Sequence, residues 1–284
     1  MAKRKAEEAQ SATKTMMEID ADDVGSDDDD SMINVDFEFF GLNPEVDFHG
    51  LKTLMKQLFD IDNELIELSQ LADLILSQAD HVGTGVKCDG EESDAYSFIT
   101  VLNVSQHRDH AAIKPLLQYL DSRLTSNKEI SSTLQPQTNI RLGLILSERL
   151  INMPHQVVPP MYNMLQKEMS LGGADFQFTH LLLISKTYTE VQSELDAKED
   201  RPQKKARAGK STELFYFHPE DEILLKHAIA DQPFQYQKEN EASSSDSRRA
   251  FQEEGLRPQG HAILLDAGKF NQAVQAVSEY LGSA

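Results

Sequence analysis

The stretch DAYSFITVLNV (94–104) alternates with a period of two, yet it is apolar on both parities. Phe98, Leu102 and Val104 fall on one side with Thr100, while Ile99 and Val101 fall on the other. A strand covered on one face only would carry polar residues on its second face. Two apolar faces require a central strand, and therefore a sheet with helices on both sides. HVGTGVKCDG (81–90) reads as its antiparallel partner across the acidic turn DGEES. Other strands are expected at VDFEFF (35–40), where Val35, Phe37 and Phe39 alternate with Asp36 and Glu38, and at NIRLGLILSERLI (139–151) and THLLLISKTYTEV (179–191). ELFYFH (213–218), a weaker FQYQKE (234–239) and HAILLD (261–266) complete the set.

Helical periodicity fills the intervals. Asp47 is placed to cap a helix carrying Phe48, Leu51, Met55, Leu58 and Phe59. After a break at Asp60–Asn63, a helix from Glu64 to about Gln78 is apolar on most sides and so belongs in the core. Residues 109–124 form another, which Pro115 either starts or kinks, and a short one follows near Asn127–Leu134. Pro160 suits the first turn of a helix with Met161, Met164, Leu165 and Met169 as its apolar stripe. Pro219 opens a helix with Glu220, Asp221 and Glu222 in its first turn, where the macrodipole favours acids. Gly268 then turns the chain into a closing helix, FNQAVQAVSEYL. The expected fold is α/β in the α+β sense: a single domain over 33–284, with about seven strands and five or six helices. Its sheet is mixed, mostly antiparallel and twisted, with helices on both faces. Residues 1–32 read as a disordered acidic leader, and 194–212 and 240–259 as flexible insertions.

Charge narrows the function. The chain carries 47 acids against 27 bases, a net −20. Residues 1–34 supply −6 of this and the rest −14, so the folded part is acidic too. A direct nucleic-acid partner is not expected, because phosphates need a basic face. Cationic partners are attracted instead, although the same charge also serves solubility. Two basic islands, Lys3-Arg4-Lys5 and Lys204, Lys205, Arg207 and Lys210, are nuclear-import candidates or solvated loops. Ser26, ahead of Asp27–Asp30, and Ser243, ahead of Asp246, fit acid-directed kinases. No run approaches the ~20 apolar residues of a membrane span, and MAKRKAEEAQ has no apolar stretch for a secretory signal.

Catalytic signatures are missing. There is no G-x-S-x-G, no phosphate-binding G-x-x-x-x-G-K-[ST] and no H-E-x-x-H. His107 and His110 form the only tight histidine pair and lack further ligands nearby in sequence. Cys88 is the single cysteine, with no identifiable base, and it excludes a disulfide framework. Gly83-Thr84-Gly85 reads as a bulge or turn; Leu65, Leu68, Leu71 and Leu74 are spaced like an export signal, but any buried amphipathic helix has that spacing and they are read as core. No catalytic residue, metal or cofactor is assigned.

VDFEFF after a Ser-Asp-rich leader, GLILSERLINMP (143–154), FHPEDE (217–222) and HAILLDAGKFNQAVQAVSEYL (261–281) together resemble the BCCIP/Bcp family in its fungal form. The resemblance covers roughly residues 33–284. It implies a fold like the GCN5-related N-acetyltransferases (GNAT-like) without their activity. It implies a nuclear protein, shuttling to the cytoplasm with import and export receptors. Such a protein chaperones a basic large-subunit ribosomal protein and supports nuclear export of a phosphatidylinositol phosphate kinase. Animal relatives bind a cell-cycle inhibitor and a recombination mediator, so a scaffold for cell-cycle or DNA-repair partners is the alternative. An acetyltransferase is a third possibility. In that fold the cofactor pyrophosphate rests on backbone amides of a Gly-rich loop opening a helix. Here the segment reads His155-Gln156-Val157-Val158-Pro159-Pro160, and two prolines remove two donors. No tight acetyl-CoA binding is expected. For the client, Asp22, Asp23 and Asp27, Asp28, Asp29 and Asp30 are candidate contacts, as are Glu220, Asp221 and Glu222. The last three are equally explained by helix N-terminal stabilisation.

Overall fold

The computed structural model describes residues 36–137, 139–190, 214–238 and 256–282. Along the chain come β1 (Glu38–Gly41), α1 (Phe48–Phe59), a 3-10 stretch over Asp60–Leu65, α2 (Leu68–Ser77), β2 (Thr84–Lys87) and β3 (Ser97–Asn103). Three helices follow: α3 (Val104–His107), α4 (Ile113–Arg123) and α5 (Lys128–Leu134). Then come β4 (Leu142–Arg149), α6 (Val158–Leu171), β5 (His180–Glu190), β6 (Leu214–Tyr216) and α7 (Pro219–Lys226). The last elements are β7 (Ala228–Phe234), β8 (Leu256–Asp266) and α8 (Phe270–Gly282).

Among the described residues, the eight strands join one sheet in the order β1-β2-β3-β4-β5-β8-β7, with β6 added against β5. Every pairing is antiparallel except β4 with β5, which α6 connects. The two-sided strand reading is borne out. Phe98 and Leu102 of β3, with Leu142, Leu144 and Leu146 of β4, pack with α1, α2, α4 and α5 on one face. Ile99, Val101 and Ile145 face a second core built on α6, α7 and α8. Each apolar layer is removed from water at ~25 cal/mol per Å².

Differences from the sequence reading have local causes. Asp47 does not cap α1 through its side chain. Its carboxylate accepts the Asn43 N–H at 2.7 Å and pairs with the buried Lys87 at 2.8 Å. Pro115 lies in the first turn of α4, so it starts that helix. The weaker strand expected at 234–239 lies earlier: β7 ends at Phe234, and the carboxylate of Asp62 takes the backbone N–H groups of Gln237 and Lys238 at 2.7 and 2.9 Å. β7 contains Pro233, which an edge strand tolerates because its outer N–H needs no partner. β8 begins at Leu256, inside the stretch expected to be a flexible insertion. Gly260 sits there under the Phe234 ring, where a Cβ would lie 2.3 Å from the ring. The leader 1–32, the insertion 194–212, both basic islands, Ser26 and Ser243 lie outside the described residues.

Candidate functional site

The parallel pairing of β4 with β5 stops at Leu146 opposite Ile184. β4 stays with β3 as far as Arg149, and β5 stays with β8 as far as Glu190, so the two strands fork. β6 takes up the vacated side of β5 only at Thr187–Thr189. Four polar residues stand in the fork: Glu148 and Arg149 on one prong, Ser185 and Lys186 on the other. Strand alternation sends Glu148 and Lys186 toward α1, where the Lys186 Nζ donates to the Gln57 carbonyl at 3.1 Å. It sends Arg149 and Ser185 toward α7.

The groups close into pairs, as buried charges must. Lys186 Nζ lies 2.6 Å from Glu148 Oε2, and His218 Nε2 lies 3.0 Å from Glu148 Oε1. Arg149 grips Glu220 with both terminal guanidinium nitrogens, the Nη2–Oε2 contact being 3.1 Å. The Ser185 hydroxyl donates to Asp221. α7 supplies both acids because its Pro219 start fixes the first turn, and His218 just ahead of it reaches back to Glu148. Burial by itself would raise the Glu148 carboxyl, but the His218 hydrogen bond and the Lys186 charge outweigh it and hold it down at about 2. Burial lowers His218, yet its bond to Glu148 leaves it raised overall. Burial dominates at Asp221, which is pushed up to about 7.

A cavity of about 580 Å³ opens over this cluster, and Arg149, Lys186 and His218 line it beside Leu150, Met153 and Phe217. That volume falls in the ~300–1,000 Å³ range of ligand pockets. Phe217 also meets Tyr188 edge to face and lies 5.5 Å from the Lys186 ammonium. Next to the cavity, residues 155–157 form a 3-10 turn that leads straight into α6. The Val157 N–H is taken by the Pro154 carbonyl at 3.4 Å and the Val158 N–H by the His155 carbonyl. Pro159 and Pro160 have none to offer. The start of α6 is therefore poor in the free amides that a pyrophosphate would need.

Of the candidate contact acids, Glu220 and Asp221 are only 3% and 2% exposed, which corrects the expectation that they present charge at the surface. Their carboxylates are spent on Arg149 and Ser185. Glu222 is exposed and pairs with Lys226 at 3.2 Å. The six tail acids lie outside the described residues. Leu68, Leu71 and Leu74 are buried in the first core, so they present no export signal there. His107 and His110 stand 6.3 Å apart ring to ring, and burial pushes the Cys88 thiol up, away from reactivity. Among the described residues no group of three or more His, Cys, Asp or Glu could hold a metal, and no helix is long and apolar enough to cross a membrane. Sequence reasoning missed Glu148, Arg149, Lys186 and His218. The available signal was polarity at inward-facing positions of two otherwise apolar strands.

Sheet, fork and paired charges define a mixed α/β domain, mostly antiparallel, with a pocket where its one parallel pair divides. The family model for BCCIP matches residues 32–224, and the chain belongs to that family. It is 46% identical to "Protein BCP1" of Gibberella zeae over 272 residues, covering 93% of this chain and 92% of the relative. It is 48% identical to "Protein bcp1" of Aspergillus fumigatus, with 92% and 91% covered, and 44% identical to that of Schizosaccharomyces pombe, with 98% and 99% covered. Among solved structures, BCP1 from Saccharomyces cerevisiae matches with a TM-score of 0.60 at 29% identity, covering 90% of this chain and 94% of that one.

Proposed function

We propose that this chain is a non-catalytic acidic escort of the nucleus. It would chaperone a basic large-subunit ribosomal protein and support export of client proteins, a phosphatidylinositol phosphate kinase among them. The carrying observation is the net charge of −20, part of it borne on the folded surface. The β2–β3 turn places Asp89, Glu91, Glu92 and Asp94 in solvent, while Lys87, the last residue of β2, is buried. Each exposed contact is weak, so affinity for a cationic client comes from many charges and an apolar anchor. Membership of the BCCIP family is consistent with a partner-binding protein.

The forked parallel pair, crossed by α6, supports a GNAT-like reading of the fold. Fold does not carry activity with it. The occupied amides and prolines at the start of α6 favour a protein that has no use for acetyl-CoA. Titration calorimetry should find no affinity at or below micromolar; a tight isotherm would overturn the non-catalytic reading.

The direct test is affinity purification of the full chain from nuclear extract at moderate salt. One dominant basic protein, lost as salt is raised, is the expected result. Recovery of a kinase or repair complex alone, unaffected by salt, would replace the escort with a scaffold for cell-cycle or DNA-repair partners.

A further inference from the structure

A second depression, of about 280 Å³, lies beside the first and is lined by His49, Gly50 and Thr53 of α1, by Asp94 and Tyr96, and by Leu150. Leu150 lines the larger cavity as well, together with Lys56, Gln57 and Asp60 at the other end of α1. The two share Leu150 and both lie along α1, whose 12 residues span ~18 Å.

Its ends differ in chemistry. At the narrow end Asp94 continues into the exposed Asp89, Glu91 and Glu92. Lys87 cannot neutralise them at the surface. It is fully buried, 2.8 Å from Asp47, and donates to the Glu91 carbonyl at 2.7 Å. That bond, with the Ser93 hydroxyl on the Gly90 carbonyl at 2.8 Å, holds the acidic turn in place. At the wide end the 580 Å³ cavity is rimmed by Ile151, 92% exposed, and Phe217, 37% exposed. These two side chains give the mouth of the cavity an apolar rim open to water. His218 lines the same cavity, 9% exposed, and its Nδ1 has no hydrogen-bond partner among the described residues.

We infer that the two depressions together dock an extended cationic segment of a partner protein, a basic run on the acidic turn and a bulky apolar side chain in the fork cavity. The inference rests on the escort reading and gives it a place. An extended chain advances ~3.3 Å per residue, so ~18 Å separates the basic run from the anchor by five or six residues. The acidic turn alone would attract any cation without register. The cavity supplies the register, because a buried apolar anchor dominates such interfaces.

The test uses the full chain and two fluorescent peptides at moderate salt, read by anisotropy. One is octalysine. The other is octalysine joined through four glycines to a Phe-Leu pair, prepared with the pair at either terminus. One orientation of the extended peptide should bind at least tenfold more tightly than octalysine. Ile151→Asp, at a residue too exposed to disturb the fold, should remove that gain and leave octalysine binding unchanged. Glu91→Lys/Glu92→Lys should weaken both peptides severalfold. If both peptides bind alike, or Ile151→Asp leaves the gain, the docking site is overturned while the acidic escort stands. If the charge reversal changes neither, the acidic end is wrong and the inference falls. If neither peptide binds, the electrostatic escort falls with it.

Discussion

The acids at the start of α7 and the acids of the β2–β3 turn are alike on paper and opposite in the fold. Glu220 and Asp221 are buried against Arg149 and Ser185; Glu91 and Glu92 are in solvent. A buried carboxylate must have a partner or a proton, and both devices are in use at the fork. Glu220 and Glu148 have cations, while Asp221 has a hydroxyl and a raised affinity for a proton. A solvated carboxylate needs neither, and its charge remains available to something outside. The lesson is that acidity counted along the chain overstates the acidic surface and hides a structural ionic cluster.

Breaking the fork should have the largest effect. Glu220→Gln leaves the Arg149 guanidinium buried without its counter-charge, and about 3–5 kcal/mol of unfolding free energy should be lost in a denaturant titration. Replacing both partners with apolar residues of similar size, Arg149→Met/Glu220→Leu, should recover most of it. A single-variant loss below ~1 kcal/mol would mean that water reaches the pair.

The pH dependence sharpens the contrast. Asp221, raised to about 7, keeps a proton in the folded state that the unfolded chain has lost. Its stabilising share is full below the ordinary aspartate value of 3.8 and is lost as pH rises through 7. His218, raised from 6.5, acts in the same direction at higher pH. Glu148, held near 2, contributes above its ordinary 4.5 and is flat across neutrality. Stability should therefore fall between pH 6 and pH 8, by on the order of 1 kcal/mol. Asp221→Asn should flatten that slope in melting curves, and an unchanged slope would remove Asp221 from the account.

The turn should behave otherwise. Glu91→Lys/Glu92→Lys should shift stability by no more than ~0.5 kcal/mol while weakening salt-sensitive client binding. The smallest effect is expected at Glu222→Gln. Its i,i+4 pair with Lys226 is exposed on both sides, so a loss within ~0.5 kcal/mol by chemical denaturation should be all that is seen.

Much of the architecture could be read from local pattern. The two apolar parities of β3 demanded helices on both faces, because alternation of side chains along a strand is a property of the backbone alone. The short helix expected near Asn127–Leu134 is α5, and the structure shows its cap: Asn127 accepts from the Glu129 and Ile130 amides at 3.0 and 3.3 Å. β7 was not legible, since an edge strand with a proline, Pro233, lacks the signature of a central one. The site was less legible still. Glu220 in the first turn of a helix satisfies the macrodipole whatever faces it, and only a guanidinium 71 positions away decides that it is buried.

Amino-acid order thus determined which faces of most elements are apolar, which stretches are helical to within a few residues, and that the chain is acidic, because all three depend on near neighbours or on counting. The tertiary structure decided that β4 and β5 part after Leu146, that Glu148, Arg149, Lys186, His218 and Glu220 pair across the gap, and which acids are left in water. Those outcomes depend on strand register and on residues brought together from distant parts of the chain, and burial, which no local pattern encodes, sets what each charge can do.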